Sequence, residues 1–173
     1  ILSIFSLTGL LLGTFTGAIA DAIGHRRLML TGLVFQIAGC FMGSFTHSFY
    51  GLLASRFLEG AGFLAVIIST PTLIFQVVKS KDMAVALSIW TCYIPAGVSL
   101  MMVLLPFILL GTDWKGLWQI NAVILMAYTL LLAKKTSHIK FMNPATSVTL
   151  KKLIRDVITT STSAGPLLLA LIF

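Results

Sequence analysis

Gly17-Ala18-Ile19-Ala20-Asp21-Ala22-Ile23-Gly24-His25-Arg26-Arg27 is a short charged stretch, punctuated by glycine, between two long uncharged apolar runs at about 2–20 and 28–46. Crossing a hydrocarbon core roughly 30 Å thick takes about 20 apolar residues, and each run is close to that length. The stretch therefore reads as a tight turn between two membrane helices. Gly24 permits the reversal, Asp21 closes one helix where it can accept hydrogen bonds from a facing helix N-terminus, and Arg26 and Arg27 are placed to anchor to headgroups.

The rest of the chain repeats the pattern. With 58% hydrophobic residues, 10% charged residues and a mean hydropathy of +1.03, it lies far from soluble domains, where roughly 25% of residues are charged. Further apolar runs at about 50–77, 83–110 and 117–133, and the start of another near Pro166, predict an all-α integral membrane protein, a polytopic helix bundle. Their lengths suit helices and not barrel strands. The chain begins at Ile1 inside one apolar run and stops at Phe173 inside another, so it reads as a fragment truncated at both ends. The leading run has neither a basic n-region nor a small-residue cleavage site, which makes it a span and not a signal peptide.

Charge gives an independent test of topology, since Lys and Arg collect on cytoplasmic loops. Segments 21–27, 78–82 and 134–163 hold ten of the twelve basic residues, so these are assigned to the cytoplasm. The net charge of +7 is then explained by topology, with anionic lipid as neighbour and without nucleic acid. Cys40 and Cys92 fall in apolar spans and read as small core residues. His25, His47 and His138 sit at span ends with no partner at metal-ligand spacing, so neither a metal nor a cofactor is expected.

Short connections near 47–49 and 111–116 require antiparallel neighbours. Gly9, Gly13 and Gly17, four apart, offer a small-residue face for another helix. Segment 134–163 is polar and basic, with a turn signal at Asn143-Pro144, and reads as a cytoplasmic linker. Within it, Leu150, Leu153, Ile154, Val157 and Ile158 recur at helical spacing, which fits either a helix on the inner membrane surface or one packed on the bundle.

Chemistry concentrates in Arg56-Phe57-Leu58-Glu59-Gly60-Ala61-Gly62, two charges inside an apolar run. Charges at that depth are costly unless paired or facing a polar cavity, and their i, i+3 spacing puts both on one face. Arg56 and Glu59 are accordingly read either as a structural ion pair or as a cavity pair in which Arg56 holds an anionic group or sets the protonation of Glu59. Pro95 and Gly97 predict a kink in the 83–110 run. Tyr93 could line a cavity, and Trp114 and Trp118 suit interfacial anchoring.

Two of these motifs carry a resemblance to a family, and a third stretch to one of its branches. Gly17-x-x-x-Asp21-x-x-Gly24-x-Arg26-Arg27 resembles the loop between the second and third helices of major facilitator superfamily transporters, with Ala22 where that family usually has a basic residue. Arg56-x-x-x-Gly60-x-Gly62 resembles the motif on the family's fourth helix, with Glu59 where Gln is common. Trp90-x-x-Tyr93-x-Pro95-x-Gly97, followed by Asp113-Trp114-Lys115-Gly116, looks more like the branch of cyanate and related small-solute permeases than like the multidrug-type exporters.

The resemblance implies the major facilitator fold, with residues 1–133 as an N-terminal half lacking its first helix, 134–163 as the linker between halves and 164–173 as the start of the second half. It implies a secondary active transporter, not an enzyme, that moves a small solute by alternating access with proton coupling. Arg56, Glu59 and Tyr93 would serve substrate or proton. Gly17, Asp21, Gly24, Arg26 and Arg27 would serve as a conformational latch. The expected partners are a small-molecule solute, an anion by the presence of Arg56, and the lipid bilayer of the cell membrane. A monomer is expected. A receptor that binds without moving its solute, or a multidrug-type exporter, are the alternatives.

Overall fold

The computed structural model describes residues 12, 13, 15–17 and 19–137, and all of its regular structure is helical. The described residues of 12–23 end helix α1. They are followed by α2 (His25–Phe45), α3 (Phe49–Val77), a 3₁₀ turn (Ser80–Asp82), α4 (Met83–Thr91), α5 (Tyr93–Gly111) and α6 (Trp114–Thr136). Taking α4 and α5 with the turn before them as one unit, four helical units are long and apolar enough to cross a membrane. Segment 138–173, with the amphipathic stretch and the linker, lies outside the described residues, as does Gly9.

Local chemistry fixes the boundaries. Gly24, at φ 91°, separates α1 from α2 in a backbone conformation that side chains with a Cβ rarely adopt. Ser48 caps α3 by accepting from the Gly51 N–H at 3.0 Å, and Asp113 caps α6 by accepting from the Gly116 N–H at 2.9 Å. α6 thus starts at Trp114, ahead of the apolar run at 117, because the cap supplies what hydropathy does not.

The 83–110 run is not one uninterrupted helix. It breaks at Cys92, three residues before Pro95. Pro95 has no N–H for the Thr91 carbonyl and its ring crowds that carbonyl, so the ladder is lost there and resumes with the Ala96 N–H on the Cys92 carbonyl at 3.0 Å. Gly97 lies within α5, and a Cβ there would meet nothing within 4 Å.

α2 is the centre of the bundle, packed along α3 and α6. Its small residues make this possible. A Cβ on Gly32 would lie 2.7 Å from both the Gly62 carbonyl oxygen and the Ala65 Cβ, and one on Gly43 would lie 2.7 Å from the Trp118 ring. Close approach of backbones replaces the hydrophobic effect as the driving force between helices in lipid. The seam is thus on α2 and α3. Gly13 and Gly17, which the spacing in α1 singles out, have nothing within 4 Å of a Cβ among the described residues. Ala20, Leu28 and Ala65 form the core where α1, α2 and α3 meet. α5, by contrast, touches only α4 and α6 among the described elements, and each lightly. Cys40 is buried, whereas Cys92 is exposed.

Candidate functional site

The charged pair on α3 is enclosed by three helices. Arg56 Nη2 and Glu59 Oε1 form an ion pair one turn apart, with side chains 16% and 12% exposed. The guanidinium carbon stacks over the Trp118 ring of α6, 4.1 Å from its centroid. Such a cation–π contact contributes about 2 kcal/mol when desolvated. Trp118 is itself held edge-on by Trp114 one turn earlier, with centroids 5.1 Å apart and planes at 90°.

Glu59 approaches α2, where the absence of a side chain at Gly39 makes room: a Cβ there would lie 2.6 Å from Glu59 Cγ. Next to Gly39, the Cys40 thiol accepts from the Asn121 amide of α6 at 3.4 Å. The pair is therefore neutralised internally and bordered by a thiol, an amide and an indole. One donor is left over: Arg56 Nε is buried without a hydrogen-bond partner among the described residues. A buried N–H with no acceptor is a standing cost of about 1–3 kcal/mol, which an oxygen entering the site would remove.

Tyr93 does not join this cluster. It lies on α5, which does not contact α3, and its ring neighbour is Trp90 at 5.9 Å. Trp118, an anchor by its sequence context, instead covers Arg56. Asn121 was given no role by sequence reasoning, although it and Gln119 are the amides of the 117–133 run, and an amide at that depth was the available signal.

At the opposite end from the α2–α3 turn, the glycine-punctuated loop is arranged differently from its expected contacts. Arg26 reaches across to the end of α6, donating from Nε to Thr136 Oγ1 at 3.0 Å and from Nη2 to the Ala133 carbonyl at 3.3 Å. A cation on the last carbonyls of a helix also complements its dipole. Arg27 is exposed. Asp21 is also exposed, with His25 Nε2 3.9 Å away.

Compared with known protein families, the sequence matches the Major Facilitator Superfamily over residues 1–173. The chain belongs to the Major Facilitator Superfamily. It is thus a multi-pass membrane protein of a family of membrane transporters, whose members bind small solutes within the bilayer. The Arg56–Glu59 cluster holds the superfamily member's one largely enclosed ion pair among the described residues.

Proposed function

We propose that this chain is part of a proton-coupled secondary transporter of a small solute, a small anion by preference, working by alternating access with Arg56 and Glu59 as the coupling pair. The observation that supports it most directly is the pair itself. Two charges are kept in an apolar span and closely enclosed, yet Arg56 Nε has no acceptor among the described residues. A structural pair would be expected to use its donors fully. An anionic oxygen fits the open donor and would compete with Glu59 for the guanidinium. Glu59, released from Arg56, would then be free to take a proton. The likeness of the Trp90-to-Gly97 stretch to the small-solute permeases supports a compact cargo.

The Gly17, Asp21, Gly24, Arg26 and Arg27 loop is proposed as the latch of that cycle. Pro95 and Gly97 are proposed to shape the α4–α5 bend, and Tyr93 to meet solute from α5. The membrane proposed is the plasma or inner membrane.

The test is transport by the full-length protein in proteoliposomes with an imposed pH gradient, across a panel of small inorganic and organic anions and neutral solutes. Gradient-driven accumulation of one anion, lost in Glu59→Gln while counterflow exchange persists, is the expected result. Accumulation by Glu59→Gln that depends on the gradient as before would remove Glu59 from coupling. Binding without flux for every solute would favour a receptor.

A further inference from the structure

A cleft at the end of the bundle away from Arg26 has no part in the coupling scheme. It opens where the α2–α3 turn meets the first turns of α6 and has a volume of about 560 Å³, within the usual range for small-molecule sites. Phe49, Leu52, Trp114 and Trp118 supply its apolar walls, and His47 and Lys115 its polar side.

Lys115 decides what the cleft can take. Its Nζ lies 2.8 Å from His47 Nε2 and 5.4 Å from the Trp114 ring centroid. An imidazole and an indole thus fix the ammonium without supplying a negative charge. An ammonium has three N–H donors, and no described carboxylate is within ion-pair distance of this one. The adjacent Asp113 is committed to the Gly116 N–H as the cap of α6. Interfacial anchoring accounts for single aromatic rings at headgroup level. It does not account for three rings and a leucine arranged about a hollow with a positioned cation on its edge.

We propose that this cleft binds a small aromatic monocarboxylate, its ring among Phe49, Trp114 and Trp118 and its carboxylate on Lys115. The apolar walls select the ring, and the unmatched cation selects the negative charge. The site is separate from the coupling pair, with Trp118 as the wall they share, and it requires binding only, so it stands whether or not the protein transports.

The experiment is titration calorimetry on the full-length protein in neutral phosphatidylcholine nanodiscs, with benzoate as probe and benzyl alcohol as its neutral counterpart. Benzoate is expected to bind at least tenfold more tightly than benzyl alcohol, Lys115→Met to remove that advantage, and Lys115→Arg to keep most of it. Hydrogen bonds to charged groups are of a size to give roughly such a ratio. Equal affinities for the two probes would overturn the proposal, a comparison that needs no variant to fold. Benzoate binding unchanged by Lys115→Met would overturn it too, moving the anion to Arg56 and leaving the coupling scheme intact. Binding of palmitate without binding of benzoate would overturn it by assigning the cleft to lipid.

Discussion

Single residues on α2 set how closely the bundle can close, and two glycines make opposite predictions. At Gly43 the Trp118 ring stands 2.7 Å from where a Cβ would be, and an indole stacked on Arg56 has little room to give. Gly43→Ala should lower stability by about 1–3 kcal/mol, the usual range for overpacking, and displace Trp118 from the guanidinium. A fall in melting temperature in detergent together with a shift in tryptophan emission would show both. At Gly97 the space is open, so Gly97→Ala should be neutral or stabilise by about 0.5–1 kcal/mol through helix propensity, and a comparable loss in the same assay would contradict the geometry. The ion pair follows a different logic. Removing one partner leaves the other charge uncompensated in an apolar interface, whereas removing both does not. Arg56→Met and Glu59→Met should therefore each destabilise more than the double variant does, and a double-mutant cycle on thermal unfolding measures it.

Between elements, the tie from α2 to α6 rests on Arg26. Two hydrogen bonds from one planar guanidinium to Thr136 and Ala133 cannot be reproduced by a lysine. Arg26→Lys and Arg26→Ala should each cost about 1–2 kcal/mol, while Arg27→Ala on the exposed neighbour stays within about 0.5 kcal/mol. Equal losses at the two positions would show that charge at the membrane surface, and not the tie, is what matters. How far sequence carries is visible here. The turn at Gly24, the run lengths and the i, i+3 pair on α3 are local properties, and hydropathy and spacing express them. That Arg26 meets a residue 110 positions away, or that Trp118 covers Arg56, depends on which helices adjoin, and no periodicity within one helix encodes that. The same limit explains the small-residue seam. Spacing of four singles out Gly13 and Gly17 in α1, whereas the close contacts among the described residues fall on Gly32 and Gly39, against carbonyls and side chains of α3, and on Gly43, against the Trp118 ring of α6. The break at Cys92 was legible only in part, because Pro95 announces a disruption while its effect falls on the turn before it.

For the whole molecule, contacts between helix ends sort the charges. Arg26 at the start of α2 meets the end of α6, and His47 after α2 meets Lys115 at the start of α6, so α2 and α6 run antiparallel. Since α3 leaves from the His47 end, Lys79 and Lys81 past its far terminus share the end that holds Arg26, Arg27, Lys134 and Lys135. One end of the described bundle therefore carries six of its eight basic residues, Arg56 lies within α3, and the other end carries Lys115 alone. Basic loops stay on the cytoplasmic side during insertion, so the Arg26 end should face the cytoplasm and the Lys115 cleft the outside. Both native cysteines lie within spans and can be replaced by serine or alanine before single cysteines are introduced. Thr112→Cys, in the exposed turn before α6, should then react with a membrane-impermeant maleimide in intact cells, and Lys81→Cys only after permeabilisation. The reverse pattern would invert the protein in the membrane. It would place the benzoate cleft in the cytoplasm and Arg26 outside, where neither the charge asymmetry nor a latch on the inner face would retain its physical basis.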